Sequence, residues 1–119
     1  MSMTSMTTTT QTKAEFLTEA LIENVNNEWK VKALENNRNH YDVLTMEVGR
    51  KYIKVWQQGV WDGVIRDSRS CYMFVDKNDG AVYKPASYKA PAKGVRFSIA
   101  GLLENYTICD PYGSFLYVR

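Results

Sequence analysis

The sequence predicts an α+β fold, an N-terminal helix followed by a bent, mostly antiparallel sheet of four to five strands. Three observations lead there. A capping pattern at Thr12 opens a stretch with helical spacing, the apolar period changes to strand-like from Tyr41 onward, and Gly, Asn, Asp and Pro clusters punctuate the strand-like region. The chain has 119 residues, 45% of them hydrophobic, which suits one domain with one core. A domain of that size buries roughly two-thirds of the surface of its unfolded chain, enough to fold without disulfide or metal. Residues 12–119 are expected to form this domain, and residues 1–11, mostly Ser, Thr and Met, to be a mobile tail.

Thr12 followed by Glu15 fits a capping box, in which each side chain satisfies an orphan N–H at a helix start. Leu17, Ala20, Leu21 and Val25 then recur at three- and four-residue spacing, with Lys13, Glu19 and Glu23 mostly on the other face. Asn24, Asn26 and Asn27 lower helix propensity. Residues 28–35 therefore read two ways: Trp29 and Ala33 continue the helical spacing, while Trp29, Val31 and Ala33 alternating with lysines suit a half-buried strand. Asn36, Asn37 and Asn39 mark a loop.

Strand-like runs follow at 41–48 and 52–56, separated by Gly49, which permits a turn or a sharp bend. Ser70 to Val75 reads as a central strand buried on both faces. Asp76-Lys77-Asn78-Asp79-Gly80 is a hairpin loop, because these residues accept positive φ cheaply, and 81–84 returns as its partner. The same five residues superficially match a calcium loop, but an EF-hand needs its Gly one place later and a bidentate Glu at the twelfth position. A short irregular or helical piece is expected around Ile99 to Leu103. The Asp110-Pro111-Tyr112-Gly113 turn then introduces a last strand from Ser114 to Val118.

Several function classes find no support. No apolar run is long enough to span a membrane, and the first ten residues lack the basic start and apolar stretch of a secretory signal. Cys71 and Cys109 have no Cys or His at metal-ligand spacing and read as buried, reduced thiols of a cytoplasmic protein. His40 is the only histidine, so every Ser-His or Cys-His pair would have to use it, and it reads as a surface-loop residue. No phosphate-binding glycine loop occurs. The expectation is a non-enzymatic protein without cofactor or metal.

Charge points to one segment. Net charge is +2, but residues 1–47 carry seven acids and four bases, whereas residues 48–119 carry six acids and eleven bases. Between Gly80 and Leu103 there are four bases, Lys84, Lys89, Lys93 and Arg96, and no acid. Pro85 and Pro91 fix φ and extend their predecessors, which predicts a semi-rigid connection projecting those cations. With Tyr88 as a stacking face, and Arg50, Lys51 and Lys54 nearby, the segment is a candidate nucleic-acid or anion surface. The plain structural alternative is a well-specified loop whose lysines pair with the acidic helix or simply stay solvated.

The pattern Gly49-Arg50-Lys51-Tyr52-Ile53-Lys54-Val55, then Phe74-Val75-Asp76, Gly80 and Val82 through Arg96, resembles small uncharacterised proteins of tailed bacteriophages, including marine ones. That resemblance covers about half the chain and is specific in the Lys-Pro-Ala-Ser to Lys-Gly-Val-Arg stretch. It implies expression in a bacterial host's cytoplasm, or a place in the virion, and brings no catalytic residues. A helix followed by a strongly bent sheet also looks like the Sm-type barrel, which binds RNA and forms rings, an analogy of fold alone. The expected partners are nucleic acid or a host or phage protein. The alternative is a structural protein that forms a homo-oligomer by pairing an edge strand such as 114–118.

Overall fold

A computed structural model describes residues 12–117 of the protein; the expected tail at 1–11 lies outside the described residues. Helix α1 runs Lys13–Glu35. Thr12 starts it as expected, its hydroxyl accepting from the Glu15 N–H at 3.1 Å. The Glu15 carboxylate faces Lys77 at 3.7 Å. The open question at 28–35 resolves as helix, because Trp29 and Ala33 continue the buried stripe of Leu21 and Val25.

The Asn cluster after it is the stop. Asn37 adopts φ 56°, the Arg38 N–H returns to the Ala33 carbonyl at 2.8 Å, and the Asn37 N–H to Leu34 at 3.1 Å. This is the Schellman arrangement, with Asn in the left-handed position usually given to Gly.

Five strands follow: β1 His40–Val48, β2 Tyr52–Trp61, β3 Val64–Asp76, β4 Ala81–Tyr83 and β5 Phe97–Ser98. They pair antiparallel in chain order, β1-β2-β3-β4-β5, as a curled half-barrel. Gly49 makes a turn between β1 and β2 rather than a bend, its N–H donating to the Tyr52 carbonyl at 2.9 Å. The 76–80 hairpin forms as read. The Asp76 carboxylate accepts the Asn78 N–H at 2.7 Å and Gly80 takes φ 74°, so the calcium-like acid is a turn-forming group.

One face of the sheet packs on α1 and on the short helix α2, Ile99–Glu104. Ile53, Val55, Met73 and Val75 join Leu21, Val25, Trp29, Leu102 and Leu116 in the core. A bulge between Val55 and Trp56 leaves Tyr72 as an extra residue on β3. It turns inward, with its ring 6.0 Å from Trp29 and its hydroxyl donating to the Asp110 carbonyl at 2.7 Å.

The expected C-terminal strand is a correction. Ser114–Leu116 forms a 3-10 turn, and Val118 lies outside the described residues. Gly113 at φ 66° reverses the chain and the Asp110 carboxylate accepts the Ser114 N–H at 2.9 Å, closing a turn. Phe115 and Leu116 are consecutive and both buried, which a strand's alternation forbids at a sheet edge.

Candidate functional site

The outer face of the sheet, opposite α1, is built by the same strand alternation that fills the core. Tyr52, Lys54 and Trp56 alternate with the inward Ile53 and Val55, and the register sets Lys54 opposite Phe74. The Lys54 ammonium lies 5.5 Å from the Trp56 ring centre, 6.0 Å from Phe74 and 5.8 Å from Tyr88, three rings around one cation. Arg69 lies 3.9 Å above Trp56, and Lys51 5.2 Å from Tyr52. Glu47, an acid on this face, accepts the Trp56 indole N–H at 2.9 Å and meets Arg69 at 3.6 Å.

Tyr88 reaches Lys54 because the basic segment, expected as a semi-rigid connection, closes as a hairpin. The Ala92 N–H donates to the Lys84 carbonyl at 2.8 Å, Pro85 bridges Pro91, and the Ala86 and Ser87 N–H groups both reach Ala90 at 3.0 and 3.2 Å. At the tip Tyr88 stays 59% exposed. Among the described residues no ion pair joins the segment's lysines to Glu15, Glu23 or Glu28 of α1, so of the structural alternative its solvated form remains. Glu15 and Glu28 of α1 pair with Lys77 and Lys32, while Lys84 lies 4.6 Å over Tyr117 and Lys89 5.6 Å over Tyr88.

The structure thus brings together five of the eight expected residues. Arg50, Lys51, Lys54 and Lys89 line one shallow recess of about 260 Å³ with Tyr52 and Phe74, and Tyr88 overhangs Lys54. Lys84, exposed Lys93 and half-buried Arg96 do not line it; the Arg96 Nε is buried with no hydrogen-bond partner. Cys71, opposite Trp56, is a free thiol pushed up to about 11, mainly by burial, with Lys54 pulling the other way. It is a poor nucleophile at neutral pH.

No metal-holding group of three or more His, Cys, Asp and Glu occurs among the described residues, and none of their helices is long and apolar enough to cross a membrane. His40 begins β1 rather than lying in a loop, and its ring stacks 4.3 Å from Trp61.

A family model matches residues 2–118, almost the whole chain and all of the face and its hairpin, and its description is a family of unknown function (DUF7717). The chain belongs to that family. No curated protein and no solved structure matches it.

For this DUF7717 member, sequence reasoning missed Trp56, Phe74 and Arg69 as parts of the face. The alternation of Tyr52, Lys54 and Trp56 was a usable signal for the first. Phe74 and Arg69 depend on the β2–β3 register, which no local pattern states.

Proposed function

We propose that this protein is a non-enzymatic phage accessory protein that binds single-stranded nucleic acid across the outer face of its sheet. The observation that carries the reading is the recess lined by Arg50, Lys51, Lys54 and Lys89, with the exposed ring of Tyr88 5.8 Å from the Lys54 ammonium. Clustered cations track a phosphate backbone, and an exposed ring stacks on an unpaired base of any sequence. Duplex bases are already stacked, so the aromatic part of the surface favours a single strand. The phage origin and the host cytoplasm or virion as its location come from the sequence resemblance, and the non-enzymatic reading from a sequence whose single histidine and scattered acids suggest no nucleophile and base pattern.

A fluorescence titration with single-stranded and duplex oligonucleotides tests the reading. Single-strand binding that weakens steeply with salt is expected, with Tyr88→Ala losing about 1–3 kcal/mol of affinity. Lys54→Ala together with Lys89→Ala should weaken binding and flatten the salt dependence, since fewer counterions are released. No single-strand binding at roughly 50 mM salt, where phosphate contacts are strongest, would overturn it.

A further inference from the structure

β3 is far longer than the strand that covers it. On its outer side β4 pairs only with Phe74 and Val75, so among the described residues no strand pairs with that edge from Val64 to Met73. Seven consecutive residues, Val64 to Ser70, are exposed. The hairpin tip beside them carries Trp61 at 47%, Val64 at 65% and Ile65 at 53% exposure. An unpaired edge beside exposed apolar side chains is a template for another strand.

Proteins blunt such edges with charges and bulges, and both are present. Arg66, Asp67 and Ser68 have no Cα partner on β2, where the register shifts between Gln58 and Val60. The charges also decide which strand fits. Two copies related by a two-fold axis through Arg66, Asp67 or Arg69 would set that residue against its own like charge. An axis through Ser68 instead sets Asp67 opposite Arg69 of the second copy, twice, with Arg66 opposite Ser70 and Ile65 opposite Cys71.

We propose that a second copy of this chain pairs antiparallel with the free edge of β3, centred on Ser68 and held by reciprocal Asp67–Arg69 ion pairs. The interface is isologous and closes on itself, so it gives a dimer rather than a filament. It joins the two sheets side by side and continues the outer face from one copy into the next. The inference is independent of the nucleic-acid reading and is tested in its absence.

Sedimentation equilibrium of the full chain without nucleic acid should give about twice the 13.7 kDa monomer mass at high protein concentration and fall toward the monomer on dilution. Asp67→Arg, which faces Arg69 with a like charge, should shift the protein to monomer, and Asp67→Arg with Arg69→Asp should restore the dimer. Ser68→Cys supplies a readout that needs no charge change, because Ser68 is exposed and sits on the axis. Directly opposed strand residues lie within disulfide reach. Treated with diamide as oxidant, Ser68→Cys should cross-link into a covalent dimer on a non-reducing gel far faster than Ser87→Cys, which is also exposed but off the edge. A monomer at every concentration, or a dimer that survives Asp67→Arg and leaves Ser68→Cys no faster than Ser87→Cys, overturns the proposal.

Discussion

At the scale of single residues, the fold rests on a few positions where backbone geometry and packing agree. Gly80 ends the β3–β4 hairpin at φ 74°, and a Cβ built there would lie 2.9 Å from the Ile99 side chain, itself buried. The Gly80 carbonyl also accepts the Ile99 N–H at 2.7 Å, so the turn cannot move away from that side chain without loosening the entry to α2. Gly80→Ala should therefore cost about 2 kcal/mol or more, combining left-handed strain with overpacking. Urea unfolding followed by tryptophan fluorescence reads it as a lower midpoint at unchanged slope. A midpoint within error of the parent would mean that the hairpin relaxes freely, contrary to the packing described. Gly63, at φ 82° with nothing within 4 Å of its Cβ position, is the comparison. There alanine meets backbone strain alone, so its cost should be smaller.

At the scale of elements, one of the Asn residues that weakened the helix reading, Asn26, docks the helix. Asn26 donates its amide to the Leu44 carbonyl at 3.0 Å and accepts the Leu44 N–H at 2.7 Å, behaving as one residue of an extra strand against the outer edge of β1. Asn26→Ala leaves both backbone groups of buried Leu44 without that partner and should cost about 2 kcal/mol. Asn27→Ala, on an exposed position of the same turn, should fall within about 0.5 kcal/mol or stabilise slightly, because alanine is the better helix former. Equal effects in thermal melts of the two variants would contradict the docking role. The example shows what a local pattern can carry. The Thr12 cap, the 76–80 hairpin and the Asn stop were legible because each is made by neighbours in sequence. The exposed hairpin at Asp62-Gly63, with φ 52° and 82°, was equally legible as an Asp-Gly turn but went unread. The turn at Asp110–Gly113 was legible too, but the 3-10 turn at Ser114–Leu116 was not, since Phe115 and Leu116 are decided by what they pack against. The candidate site divides in the same way. Lys89 and Tyr88 stood out in a run without acids and Arg50, Lys51 and Lys54 as neighbours in sequence, while the rings around Lys54 come from β2, β3 and the 84–92 hairpin, and only the fold brings them together.

At the scale of the whole molecule, the core sets how stability responds to pH. Burial pushes the Cys71 thiol from 9.0 up to about 11 and the Cys109 thiol from 9.0 up to about 12, the latter helped by the Asp110 carboxylate. Tyr72 is raised well above its ordinary value, first by burial and then by the nearby Cys109 and Asp110. Each group therefore holds its proton more tightly folded than unfolded. Below about pH 9 both states are protonated at the thiols and their contribution to stability is complete. Above that, the unfolded chain releases protons that the folded one keeps, so stability falls as pH rises and is progressively lost toward the folded values near 11 and 12. We expect urea midpoints to be level between about pH 7 and 8.5 and to drop steadily above 9. Cys109→Ala should be less stable at neutral pH, from the side chain it removes, yet show a shallower alkaline decline. Thiol labelling with a disulfide reagent at mild alkaline pH should be slow in the native protein and fast in urea, because the thiolate is the attacking form. A midpoint that stays level to about pH 11, or native thiols that react as fast as unfolded ones, would contradict the burial that raises these groups.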